Sequence, residues 1–209
     1  MKKIFVIITA LFAVYVMNAQ EINDSDRKII DKIKAENAKY NTISSDFKQV
    51  KHLSFLGEDI LSSGKFYYKK TDLLAMEYKD PSGDLMLING DKFVMVSGGK
   101  RSETTSKASA KMRGMKAILS SCLQGDLYNM GAEKITCTEE PYFYVVTAKI
   151  NTKSNKSNIS KVVLFYDKKD FSLCTLKTIE PDESYIVYEL INKKLNASID
   201  NSVFLTSGK

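Results

Sequence analysis

Histidine is almost absent from this chain of 209 residues, because His52 is the only one. A Ser-His-Asp triad or a Cys-His pair would have to be built on that residue, yet the sequence has no G-x-S-x-G elbow. Clusters of metal-binding side chains are missing as well. We therefore expect no enzyme, no bound metal and no cofactor. His52 follows Lys51 in an alternating run and is interpreted as an exposed strand residue.

Cysteine is scarce and its number is odd: the chain has Cys122, Cys137 and Cys174. Their spacings match no metal motif. In an oxidising compartment Cys137 and Cys174, which both lie in strand-like runs, could pair and leave one thiol free. The alternative is three buried free cysteines, and we favour it because free cysteine is so often a core residue.

Long runs of one charge are also missing. The net charge is +6, and without Lys2 and Lys3 it is +4, with the remaining lysines interspersed among Asp and Glu. Such a pattern is typical of an ordinary solvated surface. Because the chain has no basic arm and no aromatic-basic repeat, we expect no nucleic-acid partner. A weak preference for anionic membrane surfaces stays open.

Only the N-terminus carries a long apolar run, over residues 4–16, after Lys2 and Lys3. This order predicts a secretory signal peptide over residues 1–19, cleaved near Ala19, and therefore an exported protein. The run is too short for a good membrane span, so a retained anchor is the lesser alternative. No cysteine follows it that could be lipidated. The mature chain, residues 20–209, shows no repeat and no composition break, which indicates a single domain.

Two segments have helical periodicity. The first begins at an N-cap in Asp24-Ser25-Asp26 and is predicted to end near Asn41. The second covers residues 109–123 and has Gly125 placed as a C-terminal stop. Gly114 inside the second helix costs about 1 kcal/mol relative to alanine. The apolar stripe of that helix consists of Met112, Met115, Ile118, Leu119, Cys122 and Leu123.

The rest of the chain reads as strands. Residues 46–51 alternate polar and apolar, three apolar runs follow over residues 62–96, and further strands begin at Ile135. The polar link over residues 151–158 is predicted to be an exposed hairpin loop. None of the connections in residues 62–96 can hold a crossover helix, so the sheet there is antiparallel. We predict an α+β, mainly antiparallel fold: an unclosed half β-barrel whose helices cover its open, concave side.

The order of these elements and particular residues resemble the LolA family of periplasmic lipoprotein carriers. After the first helix, Phe47-Lys48-Gln49 is similar to the family's F-x-Q strand. Residues 64–68, residues 69–76, Pro81 and residues 89–92 follow the family's next segments at matching spacing. The resemblance is specific over residues 47–92 and is one of pattern in the C-terminal half.

Membership of that family implies a function. It implies a periplasmic chaperone, expected to be a monomer, that binds the acyl chains of lipoproteins in a hydrophobic cavity and carries them from the inner to the outer membrane. Its implied partners are acylated lipoproteins, an inner-membrane lipoprotein-releasing transporter and an outer-membrane acceptor. The alternative is a LolA-like module that binds or senses lipid or a partner protein without transporting lipoproteins.

The resemblance and period-two alternation together place candidate residues in the cavity. On the strands, residues of one parity are predicted to face inward. The expected acyl-chain cavity is formed by Phe47, Phe66, Tyr68, Leu74, Met76, Tyr78, Met112, Met115 and Leu119. On the run Leu85 to Ile88 both parities are apolar, so the sequence does not assign a face, and one side is expected to lie against a helix.

Six methionines lie between the third strand and the end of the expected helical lid: Met76, Met86, Met95, Met112, Met115 and Met130. Flexible methionine side chains can repack around varied apolar ligands, which suits a carrier. An ordinary methionine-containing core is an equally good interpretation.

Lys70 stands where the resemblance places the family's arginine latch, which holds the helical lid shut, and Thr71 replaces the following proline. Lysine presents a flexible point charge, whereas arginine presents a planar fork of donors. Lys70 is therefore a possible lid latch, and a latch at another position is the alternative.

Overall fold

The computed structural model describes residues 22–70 and 72–205. The predicted signal peptide with its cleavage near Ala19 lies outside the described residues, and so does Thr71. Within the part that the structure describes, no helix has the length and apolar character needed to cross a membrane.

Eleven antiparallel strands of the described chain form one unclosed sheet, in the order β6-β5-β4-β3-β2-β1-β11-β10-β9-β8-β7. The prediction of an open, mainly antiparallel half-barrel is confirmed. The strands are β1 (Thr42–His52), β2 (Asp59–Lys69), β3 (Leu73–Asp80), β4 (Leu85–Asn89), β5 (Lys92–Ser97), β6 (Lys100–Thr105), β7 (Ala132–Glu139), β8 (Phe143–Ile150), β9 (Lys161–Asp167), β10 (Leu173–Ile179) and β11 (Tyr185–Leu195).

The helices are α1 (Asp24–Asn37), α2 (Ala110–Gln124) and the single turn α3 (Thr152–Asn155), with 3-10 turns at Leu127–Met130 and Asn201–Phe204. Strands β6 and β7 are the two outer edges of the sheet, and α2 lies between them in the chain. The connection that carries α2 must therefore pass from one edge to the other, which brings α2 across the open side of the half-barrel.

Both ends of α2 are where the sequence predicts them. The Ser109 hydroxyl accepts a hydrogen bond from the Met112 amide at 3.3 Å, and Gly125 ends the helix in a left-handed conformation with φ 67°.

The predicted boundaries of α1 are wrong at both ends. Its cap is Asn23, whose side chain accepts from the Asp26 amide at 2.8 Å. At the other end the helix stops at Asn37 rather than near Asn41. The Asn37 amide group donates to the carbonyls of Ile33, at 2.9 Å, and Phe171, at 2.6 Å, which ties the helix end to the loop before β10.

The predicted exposed loop over residues 151–158 is only partly correct, because it contains α3, which packs against α2. A Cβ atom on Gly114 of α2 would lie 2.2 Å from the Asn155 carbonyl oxygen. Glycine is therefore required at this position for the close approach of the two backbones, and its helix-propensity cost is offset by this packing.

Two apolar clusters cover the two faces of the sheet. The larger one lies on the concave side and includes Phe47, Ile118 and Tyr166, all at most 1% exposed. The smaller one lies on the convex side of β3 to β5. The two clusters explain why both faces of β4 are apolar. Ile88 belongs to the larger cluster, and Leu87 packs in the smaller one with Phe204 of the C-terminal 3-10 turn. The cover on the convex side is thus a 3-10 turn, not an α-helix.

All three cysteines are free. Cys122 is fully buried, whereas Cys137 and Cys174 are only half-buried. The preference for free cysteines is therefore confirmed, and the expectation that all three are buried is wrong for two of them.

Candidate functional site

A cavity of about 340 Å³ lies between the concave face of the sheet and α2. Its size is at the lower end of the roughly 300–1,000 Å³ typical of small-molecule pockets. We call it the concave cavity. It is lined by Lys51, Phe66, Leu74, Met76, Met86, Met95, Lys111, Met112, Met115, Ile118, Leu119, Leu123, Ser157, Ile159, Leu173, Leu176, Thr178, Glu180, Ile186, Tyr188 and Leu190.

One wall is a row of side chains that crosses four strands. Phe66 pairs with Met76, Met76 pairs with Met86, and Met86 pairs with Met95. Directly opposed residues in an antiparallel sheet project from the same face, so the four side chains form a continuous strip. Phe66 and Met76 are buried, Met86 is half-buried and Met95 is 46% exposed. The strip therefore leads from the core to the surface at β5.

Helix α2 forms the roof. Met112, Met115 and Leu119 recur at spacings of three and four residues, so they lie on one side of the helix, and all three line the concave cavity. They are half-buried, whereas Ile118 and Leu123 beside them are buried in the core. The N-terminal half of α2 is thus less well packed than its C-terminal half, where the Tyr166 hydroxyl donates to the Cys122 carbonyl at 2.7 Å.

The opposite wall comes from β10 and β11, including Leu176, Tyr188 and Leu190. A few polar residues, among them Lys51, Lys111 and Glu180, also line the cavity. An apolar lining with few polar groups suits binding of an apolar ligand. In the described residues no cluster of three or more His, Cys, Asp or Glu side chains could hold a metal ion.

Six of the nine predicted cavity residues line the concave cavity: Phe66, Leu74, Met76, Met112, Met115 and Leu119. Phe47, Tyr68 and Tyr78 lie outside the lining. The Phe47 ring is 1% exposed and packs edge-on against Tyr78, with the ring centroids 5.1 Å apart, and against Tyr188 at 6.4 Å. Burial raises the pKa of the Tyr78 hydroxyl, and a hydrogen bond with Tyr188 opposes that rise. Phe47 and Tyr78 thus support the wall to which Tyr188 belongs.

Tyr68 is 3% exposed, and burial raises its pKa to about 12. It packs in the concave-side cluster with Leu74 and Ile88. Of the six methionines, Met130 does not line the concave cavity, because it is fully buried at the end of the first 3-10 turn. The other five are lining residues.

Lys70 and Lys116 connect different helices to the sheet. The Lys70 ammonium group donates to the carbonyl of Ala38, the residue that follows α1, at 3.0 Å. Lys116 of α2 lies 3.0 Å from the Asp72 carboxylate and 2.9 Å from the Gly90 carbonyl oxygen. The ammonium group that joins α2 to the β3 and β4 side of the sheet is therefore Lys116, which the sequence reasoning did not single out.

The wall from β10 and β11 was missed at the sequence level. Ile186, Tyr188 and Leu190 alternate with period two, which is the signal that could have assigned them to one face. Of the residues between them, Glu189 is charged but Val187 is apolar, so the alternation is too incomplete to distinguish the inward set.

His52 contacts one residue on each of its two neighbouring strands. Its Nδ1 lies 2.8 Å from an Asp59 carboxylate oxygen, and its ring stacks on Tyr185 with the centroids 4.8 Å apart. Both partners lie opposite His52 in the strand pairing. The residue thus joins the ends of three strands.

A second pocket, of about 370 Å³, lies where β1, β2 and β11 meet and is lined by Asp46, Lys65, Asn192, Lys194 and three neighbouring residues. Asp46 accepts hydrogen bonds from Asn192, at 2.8 Å, and from Lys65, and these lower the pKa of its carboxyl group. Asp46 and Lys65 are thus paired with each other within the protein, and the concave cavity is the better candidate for ligand binding.

Comparison with protein families finds a match over most of the chain. The model described as "Outer membrane lipoprotein carrier protein LolA" covers residues 38–207. No curated protein matches the sequence.

Solved structures match over most of the chain at low sequence identity. A DUF1329 family protein from Desulfovibrio piger is 14% identical with a TM-score of 0.51, covering 88% of this chain and 99% of its own. An uncharacterised conserved protein from Thermus thermophilus is 8% identical with a TM-score of 0.51, covering 86% and 92%. The Pseudomonas aeruginosa MucA/MucB complex is 6% identical with a TM-score of 0.52, covering 87% of this chain and 60% of the matched one. At these identities the likeness extends to the fold alone.

Proposed function

The chain belongs to the family of the outer membrane lipoprotein carrier protein LolA, and from that membership we propose that it binds the acyl chains of lipoproteins and carries them from the inner to the outer membrane. The observation that carries this proposal is the concave cavity, an apolar chamber between a curved sheet and a helix that bears two methionines.

The energetics of an acyl chain explain why such a chamber is needed. Exposure of a chain to water costs about 0.8 kcal/mol per CH₂ group, so a chain of about fourteen groups represents roughly 11 kcal/mol. A carrier has to offset most of this cost while it holds the chain and must still release it. The five lining methionines support both requirements, because their side chains adopt new rotamers at little cost and keep apolar contact with a ligand that moves.

The concave cavity is small, so we expect it to enlarge when a lipoprotein binds. A volume of about 340 Å³ lies at the small end for ligand pockets and is small for a lipoprotein with three acyl chains. We propose that the N-terminal half of α2 moves away from the sheet to enlarge it. The half-buried state of Met112 and Met115 supports this, as does the firmer packing of the C-terminal half at Cys122.

The test is capture of cargo. The mature protein, purified without bound lipid, is incubated with inner membranes that carry a triacylated lipoprotein, and the soluble fraction is analysed for a complex. We expect the lipoprotein to become soluble in a stoichiometric complex. If a folded protein captures no acylated protein, the carrier function is wrong.

A second candidate is a module that binds a free lipid, another apolar ligand or a partner protein without transporting lipoproteins. The small volume of the concave cavity favours it, because one acyl chain needs less enlargement than three. Native mass spectrometry after gentle extraction separates the two functions. A lipoprotein adduct supports the carrier, whereas a free lipid or an empty cavity supports the module.

The place and partners of the protein follow as part of the proposal. A carrier between two membranes acts in the periplasm, which agrees with the export that the signal peptide predicts, and we propose that it acts there as a monomer. It would receive cargo from an inner-membrane lipoprotein-releasing transporter and deliver it to an outer-membrane acceptor.

A further inference from the structure

The hairpin of β1 and β2 extends beyond the neighbouring strand β3. Pairing of β2 with β3 ends at Ser63 and Asp80, whereas pairing of β2 with β1 continues to Asp59 and His52. Residues 59–62 of β2 therefore have a strand partner on one side only. Half of their backbone N–H and C=O groups point toward the open side, since successive residues of a strand direct these groups alternately to its two edges.

Apolar side chains are concentrated on the same hairpin. Of the seven large apolar side chains that are exposed in the described residues, four lie here: Phe55 at 76%, Leu56 at 51%, Ile60 at 45% and Leu61 at 68%. Ile60 and Leu61 project from opposite faces of β2. An exposed, apolar strand edge favours pairing with another chain even over four residues, and natural proteins normally protect it. The outer edge strand β6, with the sequence KRSETT, shows such protection by charged side chains.

The surroundings of this edge are acidic although the chain as a whole is basic. Glu58 and Asp59 lie on the hairpin, and Asp80 lies opposite Ser63. Asp182 and Glu183 lie in the next turn, which is joined to the hairpin by a hydrogen bond from the Ser54 amide to the Ser184 hydroxyl at 3.1 Å.

The nearby basic residues are fewer: Lys51 lies opposite Ile60, Lys79 is next to Asp80, and the Lys177 ammonium group lies 4.0 Å from the centre of the Tyr185 ring. His52 contacts the Asp59 carboxylate at 2.8 Å. The five carboxylates still outnumber the three lysines.

We propose that residues 59–62 of β2 are a docking site for an extended segment of a partner protein, which adds a strand to the sheet and carries basic residues among apolar ones. The open backbone edge supplies the hydrogen bonds, and Ile60 and Leu61 supply an apolar contact on each face. The carboxylates around the edge select basic side chains on the partner and oppose acidic ones.

Two other occupants fit these observations less well. A second copy of the chain would bring the same carboxylates together across the joint. A membrane would have to accept unpaired backbone groups in its hydrocarbon region, which is unfavourable, and an anionic surface would be repelled by the acidic residues.

The docking site lies next to the concave cavity. Lys51 lines that cavity, and its strand partners are Ile60 on one side and Ile186, another lining residue, on the other. Residues paired in this way project from the same face, so a strand added at β2 lies beside one end of the concave cavity. A partner held there would be placed to donate or receive a bound ligand. The docking site itself does not depend on the carrier function.

The probe is a short, N-acetylated, fluorescent peptide in which Lys and Val alternate. Its two matched controls are the same peptide with alternate backbone amides N-methylated and a peptide in which Glu replaces Lys. We expect the Lys-Val peptide to bind the full mature protein at least ~10-fold more tightly than either control. In the complex, amide hydrogen exchange should slow at residues 59–62.

Variants locate the binding. Leu61→Lys should weaken peptide binding at least ~10-fold, whereas Leu205→Lys, which changes another exposed leucine, should leave it unchanged. Glu58→Lys should weaken binding of the Lys-Val peptide and strengthen binding of the Glu-Val peptide. Fatty-acid binding by Leu61→Lys should be unchanged, so failure of the docking site is distinguishable from failure of the carrier function.

Several results would overturn the proposal. They are absence of binding by the Lys-Val peptide, equal binding by the N-methylated peptide, and equal loss with Leu205→Lys. Binding to phosphatidylcholine vesicles that is lost in Leu61→Lys, without peptide binding, would assign the hairpin to a membrane. Self-association of the mature protein that is lost in the same variant would assign it to a second copy.

Discussion

Lys116 on α2, the helix that roofs the concave cavity, and Asp72 in the turn before β3 form an ion pair of 3.0 Å. The same ammonium group donates to the Gly90 carbonyl oxygen in the turn after β4. Only 18% of the Lys116 side chain is exposed. These contacts connect the N-terminal half of α2 to the sheet. Mutation of Lys116 therefore tests whether they hold α2 against the sheet.

Replacement of Lys116 by methionine should loosen α2 without unfolding the protein. Because the Asp72 side chain is partly exposed, the ion pair contributes about 0.5–1 kcal/mol, which corresponds to a roughly 2- to 5-fold faster release of a fluorescent long-chain fatty acid. Stopped-flow dissociation measures this rate. Lys153→Met, at an exposed lysine of α3, is the control. Equal rates in the wild type and Lys116→Met would show that the ion pair does not restrain α2.

Lys70 offers a contrasting test, because its ammonium group donates to the Ala38 carbonyl at the end of α1. If Lys70 is a latch for cargo, Lys70→Leu should change the rate of fatty-acid release. From the contacts we expect the larger effect in Lys116→Met, since Lys116 lies on the helix that roofs the concave cavity. The two rates, measured side by side, decide which lysine controls release. A larger effect in Lys70→Leu would restore the latch to the position that the family resemblance indicated.

Met115 and Ile118 allow ligand binding and folding to be separated on one helix. Met115 is half-buried in the lining, so Met115→Lys should reduce fatty-acid affinity at least ~10-fold and lower the free energy of unfolding by about 1 kcal/mol. Ile118 is fully buried, and Ile118→Lys should cost more than about 4 kcal/mol because it buries an unpaired charge. Fatty-acid titration and urea unfolding measure the two quantities. Equal losses of stability would mean that the Met112 and Met115 side of α2 is ordinary core.

The alkylation rates of Cys122 on α2 and Cys137 on β7 should depend on pH in a defined way. Burial, and secondarily Asp26 and Glu139, raise the pKa of Cys137 to about 11, and burial also raises the pKa of Cys122. The thiolate is the reactive form. Alkylation of Cys137 should therefore increase about tenfold per pH unit from neutral pH until it levels near 11, whereas Cys122 should stay almost unreactive.

Mass spectrometry of alkylated peptides measures both rates. Fast labelling of Cys122 in the folded protein would show that the C-terminal half of α2 opens readily, contrary to its packing around Tyr166. Labelling of Cys137 that levels near pH 8.5, the ordinary value for a thiol, would contradict its half-buried position.

Local signals explain what the sequence could predict. Ser109 and Gly125 mark the ends of α2 because capping depends on residues within one turn of each end. The half-barrel followed from short connections that force antiparallel pairing. Six residues that line the concave cavity were predicted from strand alternation, the apolar stripe of α2 and the family resemblance.

Non-local packing explains what the sequence could not predict. The strip from Phe66 to Met95 depends on the register of three successive hairpins. Alternation within one strand shows which residues share a face, but it does not show which residues of the next strand they pair with. Phe47 was placed in the cavity because its parity is inward, but the neighbouring Gly64 lets its ring lie flat in the core: a Cβ atom there would be 2.8 Å from the Phe47 ring. The apolar character of both faces of β4 is explained only by Phe204, more than a hundred residues later in the chain.

At Gly114, helix propensity and packing predict opposite effects of an alanine substitution on the free energy of unfolding. In an isolated helix Gly114→Ala should stabilise by about 1 kcal/mol. In the protein the new Cβ atom would meet the Asn155 backbone oxygen at 2.2 Å, and this oxygen belongs to the backbone of α3, so it cannot rotate away. We expect a net loss of about 1–3 kcal/mol, the usual cost of overpacking, in urea unfolding. Ala117→Gly on the same helix is the control and should cost about 1 kcal/mol from propensity alone. Stabilisation by Gly114→Ala would mean that α2 and α3 are not in contact in solution.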